Sequence, residues 1–240
     1  MTQTRIALVT GANKGIGFEI ARKLAGAGVH VLIGSRDRAR GDAAAAVLTD
    51  EGVAAESLHL DLDSAEAIAA AAATIESRFG RLDILVNNAG IFDFGDAAPG
   101  KASVEAVRRV MEVNFIGTLA VTQAMLPLLR AAPGATIVNL SSSMGSLAEN
   151  ADPEAPYYSQ RFIGYNASKA ALNMLTIQLH EELQAEGIKV NSVSPGFVKT
   201  DLTGGYGEMT PEEGARLPAE YALEAEVSGR FLEPGGQTPW

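Results

Sequence analysis

Short apolar runs at residues 6–10, 30–34, 55–60, 84–87, 136–140 and 189–193, with another near Phe231, alternate with longer stretches of helical spacing. The helical stretches fall at 15–27, 37–51, 64–79, 104–129, 162–186 and 211–222. Strands that alternate with helices in this way pair in parallel, and the intervening helices must cross over and cover both faces of the sheet. The pattern therefore predicts an α/β, doubly wound parallel sheet of about seven strands. No linker or internal repeat interrupts it, so residues 1–240 read as a single domain. The alanine runs at 43–46 and 69–73 are good helix formers on helices that pack closely. The stretch 145–161, with Pro153 and Pro156, reads as an irregular loop, and a loop this long in a compact domain is more often functional than accidental.

Composition closes several routes. A formal charge of −10 disfavours nucleic acid or an anionic membrane surface as partner. The chain has no cysteine, and His30, His59 and His180 are scattered without ligand spacing, so no metal site is expected. The N-terminus lacks the regions of a signal peptide, and no apolar stretch approaches the roughly 20 residues of a membrane span. A cytoplasmic location is the expectation.

The chemistry-bearing residues lie where strands end. After the first strand come Gly11, Asn13, Lys14, Gly15, Ile16 and Gly17, opening a helix. Glycines allow a tight turn there and let backbone N–H groups approach a pyrophosphate at the helix N-terminus. The second strand ends at Arg36, with Arg40 behind it, where an NAD-binding protein usually carries a carboxylate for the ribose. A guanidinium suits a phosphate dianion, which favours NADPH over NADH. Asp61 and Leu62 follow the third strand, and Asn88, Ala89 and Gly90 the fourth, at the edge where ligands bind in this Rossmann-type architecture. Asp61 could equally cap the next helix, and Asn87 could serve as a turn residue. Ser142 closes the fifth strand, and Tyr165 and Lys169 stand four residues apart, one helical turn. A tyrosine ionises near pH ~10, and a neighbouring ammonium favours its phenolate, making it a candidate proton donor and acceptor.

In this order these residues, with Asn114, Pro195, Gly196 and Thr200, resemble the short-chain dehydrogenase/reductase family along essentially the whole chain. Segments 11–17, 35–41, 195–201 and 229–240 are most similar to carbonyl reductases. The resemblance implies an NADPH-dependent oxidoreductase that reduces a ketone, aldehyde or quinone. It implies Tyr165 as proton donor, Ser142 as the hydroxyl that holds the carbonyl oxygen, Lys169 as the group that acidifies Tyr165 and binds the nicotinamide ribose, and Asn114 as the residue that orders a water toward Lys169. Pro195, Gly196, Val198 and Thr200 are implied on the nicotinamide side. Ser142 and Tyr165 are 23 residues apart, so the segment between them is lengthened, as in carbonyl reductases, but only modestly. Both a monomer and a dimer or tetramer stay open. The rival readings are the same fold oxidising a specific alcohol, and a non-catalytic NADP(H)-binding regulator. Substrate contacts are expected from 91–94, 144–147, Tyr157, Tyr158 and 197–206, whose apolar side chains suit a small hydrophobic carbonyl compound. The segment 204–207 reads as a loop able to close over the cofactor.

Overall fold

A computed structural model describes residues 4–240. Strands β1 (Ile6–Thr10), β2 (His30–Ser35), β3 (Ala55–His59), β4 (Ile84–Asn87), β5 (Thr136–Leu140), β6 (Lys189–Val193), β7 (Arg230–Glu233) and β8 (Gly236–Gln237) form one sheet in the order β3-β2-β1-β4-β5-β6-β7-β8. All neighbours are parallel except β7 and β8, which pair antiparallel through Leu232 with Gln237. The sheet thus has eight strands where seven were expected. The extra one is two exposed residues long and has no apolar run to announce it. The strand order reverses between β1 and β4, and such a switch point opens a crevice at the C-terminal edge.

Successive residues of a strand point to opposite faces, and here both faces are buried. Ile6 and Leu8 of β1 join the core under α3 (Ala65–Phe79), α5 (Thr118–Arg130) and α7 (Ile163–Leu183). Ala7 and Val9 join the opposite core under α1 (Gly15–Gly26), α2 (Arg38–Asp50) and α9 (Arg216–Glu224). The alanine-rich α2 does approach the sheet closely: a Cβ on Gly41 would lie 2.5 Å from Ser57 Oγ. A buried polar ladder crosses the middle of the domain. Asn87 Nδ2 donates to Thr122 Oγ1 and Asn139 Oδ1, Asn139 Nδ2 donates to Thr176 Oγ1, and Thr176 pairs with Ser192. Asn87 is therefore a core link between β4, β5 and α5 rather than a turn residue.

The stretch expected as one helix over 104–129 is α4 (Val104–Met111), a wider π-helical turn at Glu112–Gly117, and α5 in unbroken succession. This continuous helix, Val104–Arg130, has the length and composition of a membrane span, contrary to the sequence expectation, but half of its most apolar window is buried inside the protein. The expected irregular loop at 145–161 contains a short helix, α6 (Leu147–Ala151), capped by Ser146. The last predicted helix is two, α8 (Pro211–Gly214) and α9.

Candidate active site

The glycine turn sits at the switch point. Gly11 and Gly15 adopt φ of 63° and 60°, in the left-handed region that favours glycine. Gly17 is required for a different reason: a Cβ there would fall 2.3 Å from Asn88 Nδ2. That amide donates to Thr10 O and Gly11 O, while Thr10 Oγ1 accepts from the N–H groups of Asn88 and Ala89. The ends of β1 and β4 are thereby tied into one floor. Around it opens a cleft of about 680 Å³ whose walls include Asn13, Lys14, Ile16, Arg36, Asp61, Leu62, Gly90, Ser142, Tyr165, Lys169, Pro195, Val198 and Thr200.

At one end stands Arg36, exposed and without an ion pair to any described residue. The neighbouring Asp37 is occupied elsewhere: it caps α2 through Arg40 N, and its carboxylate lies 3.4 Å from Arg40 Nε. Arg40 borders an adjoining recess rather than the main cleft. Lys14 is paired with Asp201, linking the glycine turn to the segment after β6. Asp61 caps a turn through Asp63 N, whereas Ser64 is the cap of α3.

At the other end the three consecutive serines part company. Ser141 Oγ donates to Asn173, Ser143 Oγ donates to Glu233, and Ser142 reaches the Tyr165 phenol. Tyr165 and Lys169 share one face of α7, with Lys169 Nζ 5.7 Å from the phenol ring centre. Lys169 is buried and donates to Leu140 O at 2.8 Å. Burial pushes the lysine down to about 8, because the charged form loses its water. Burial also raises Tyr165 to about 12, opposed by the Ser142 hydrogen bond, although the ring still faces the cleft. Burial sets the direction of the Tyr165 shift, away from the acidification expected from Lys169, and the phenol is protonated at neutral pH. Asn114, in the π-helical turn, lies behind the cleft: it holds Ile91 through both N–H and C=O and donates to Ser168 Oγ. The Cβ position of Gly90 lies 3.4 Å from Asn114 Oδ1 and 3.7 Å from Lys169 Nζ, so this stretch of backbone runs close beside both groups.

The profile of the short chain dehydrogenases matches residues 5–211. A short-chain dehydrogenase of Penicillium roqueforti is 36% identical over 237 residues, covering 95% of this chain and 93% of that protein. The chain belongs to the short-chain dehydrogenase family. Carbonyl reductase [NADPH] 3 of Rattus norvegicus is 34% identical, with 98% of this chain and 95% of that protein aligned. Among solved structures, NADPH-bound carbonyl reductase from chicken fatty liver superposes with a TM-score of 0.86 at 28% identity, covering all of this chain and 96% of that one.

In this short-chain dehydrogenase the far wall comes from the segment after β6. Gly196 has φ of 86°, and a Cβ on it would meet Met209 Sδ at 2.8 Å. Val198 is buried and bridges to Met209. Thr200 faces the glycine turn, its methyl 3.8 Å from the Cβ position of Gly15. Thr203 Oγ1 donates to Tyr206 O and accepts from Thr200 N, which pins the expected closing loop to its own base. Of the expected substrate-side segments, Ile91, Phe92 and residues 198–203 reach the cleft, and Phe92 lies edge-on to Tyr165 with ring centres 5.9 Å apart. Tyr158 is instead covered by Arg161. Leu60, Asp63 and Val113 also line the cleft and were not anticipated. Leu60 and Asp63 adjoin the anticipated Asp61 and Leu62, and Val113 directly precedes Asn114.

Proposed function

We propose that this protein is an NADPH-dependent reductase of ketones, aldehydes or quinones, with Tyr165 as the proton donor. The observation that carries the reading is the Tyr165 phenol, within reach of the Ser142 hydroxyl, in the same cleft whose other end presents Arg36 with no ion pair to a described residue. The glycine turn fits a pyrophosphate, because its backbone lies open to the cleft and side chains are excluded at Gly11 and Gly15. Arg36 fits the 2′-phosphate that distinguishes NADPH, with no competing carboxylate since Asp37 is committed to Arg40. The similarity to the rat and chicken proteins, both named as NADPH carbonyl reductases, supports the same cofactor and reaction.

When bound, the dinucleotide supplies the hydride that reduces the carbonyl carbon. Ser142 donates a hydrogen bond to the carbonyl oxygen and fixes it beside the phenol. Tyr165 then gives its proton to that oxygen. The phenolate left behind is stabilised by the ammonium form of Lys169, which predominates at neutral pH. Phe92 excludes water on the substrate side. A cytoplasmic setting belongs to this reading. The test is carbonyl-dependent oxidation of NADPH across ketones, aldehydes and quinones. Tyr165→Phe should reduce kcat by about 10²-fold or more while still binding NADPH; a variant with full rate refutes the mechanism.

A further inference from the structure

The first turn of any α-helix exposes backbone N–H groups that have no partner within the helix. In α7 this turn carries Tyr165, yet the preceding Phe162 supplies no side-chain cap. The segment after β4 takes over the task. Ala97 O accepts from Ile163 N at 3.0 Å, Asp96 Oδ1 from Gly164 N at 2.9 Å, and Asp96 Oδ2 from Tyr165 N at 2.7 Å. Asp96 is only 5% exposed. A buried carboxylate is costly unless its oxygens are hydrogen-bonded, and two backbone donors at the positive end of a helix meet that need. The lack of a side chain at Gly164 makes room: a Cβ there would lie 3.1 Å from Asp96 Oδ2 and 3.1 Å from Val107 Cα.

We propose that Asp96 is a positioning residue for Tyr165, bonding the tyrosine's own amide so that the phenol is held at the height of Ser142. The same segment carries Phe92, whose ring packs against that of Tyr165. A substrate resting on this segment and the proton donor are therefore placed by one piece of chain. Asn114 reinforces the arrangement from behind, holding Ile91 and Ser168, while Ser168 Oγ donates to Tyr165 O. The proposal rests on Tyr165 being the proton donor.

Asp96→Asn replaces one acceptor by a donor that faces an N–H, and Asp96→Ala removes both acceptors. With kcat counted per NADPH-binding site, carbonyl reduction should fall about 10-fold in the first and about 10²-fold in the second, since a misplaced reacting group costs this much. The Kd for NADPH, read by fluorescence titration, should stay within about twofold, because the phosphate end of the cleft is untouched. Gly164→Ala keeps the charge but crowds Oδ2, and should lower kcat in the same sense even if Asp96→Ala does not fold. A kcat per site within about threefold of wild type in Asp96→Asn and Gly164→Ala overturns the proposal. So does a Kd that weakens in step with kcat. Tyr165→Phe measured alongside separates the two readings. Full activity in it removes the proton donor, whereas loss in it with unimpaired Asp96 variants removes only the positioning role.

Discussion

Replacing Arg36 by alanine should change cofactor choice and almost nothing else. The guanidinium is exposed, lines the cleft and has no ion pair to a described residue, so its removal leaves no protein group unsatisfied. Stability should therefore move by less than about 0.5 kcal/mol. A charge-assisted hydrogen bond contributes about 1.5–3 kcal/mol, and solvent screening at an exposed site keeps the value near the lower end. A loss of about 1.5–2 kcal/mol corresponds to a drop of roughly 10- to 30-fold in kcat/KM for NADPH. NADH lacks the 2′-phosphate, so its kcat/KM should change by no more than about twofold. Arg40→Ala is the internal comparison. That side chain already faces Asp37 and borders only the adjoining recess, so its loss should cost about threefold or less. The assay is steady-state reduction of one carbonyl compound with each cofactor at low and high salt, and salt should erode the NADPH preference of the wild type. An Arg36→Ala enzyme whose NADPH-to-NADH ratio stays within about threefold of wild type would refute the argument. Equal losses with both cofactors would refute it as well.

Stability should vary with pH through the two buried groups of the site. Lys169 has a native value of about 8 against an ordinary 10.5, so between these values the unfolded chain binds more protons and stability rises with pH. Tyr165 is raised from 10 to about 12, so above pH 10 the native state binds more protons and stability falls. Urea midpoints in 0.5-unit steps across this range should show the rise, and Lys169→Met should flatten it; a rise that survives this substitution contradicts the assignment. In the polar ladder, Asn139→Ala removes the acceptor of Asn87 and the donor to Thr176 in a fully buried place. It should cost about 2–4 kcal/mol in urea unfolding, and a cost under about 1 kcal/mol would mean that the ladder relaxes around the gap.

The central strands were legible because a strand buried on both faces is apolar save where a buried polar side chain finds a partner, as Asn87 and Asn139 do, and β1, β4 and β5 are buried at every residue. The glycine turn was legible because Gly11 and Gly15 adopt a backbone that other residues avoid. Asp96 was not, since a carboxylate in the loop after β4 has no spacing relation to a helix that begins 67 positions later. Contacts of this kind join segments through the tertiary fold alone. Asp37 and Arg40 show the complementary failure. Arg36 and Arg40 read as one phosphate site, but a local helix cap claims Arg40.

The π-helical turn at Glu112–Gly117 sets a phase difference between the two halves of the helix that contains it. One extra residue in a helical turn rotates everything beyond it by about 100°. The half before the turn can then face α7, and the half after it α3, without a bend or a break. Removing a single residue from 112–117 would leave the hydrophobic content of the chain nearly intact. It would nevertheless swing Ala106 and Val110 out of the interior, and the carboxamide of Asn114 away from Ile91. In this helix the count of residues, more than their identity, carries the instruction.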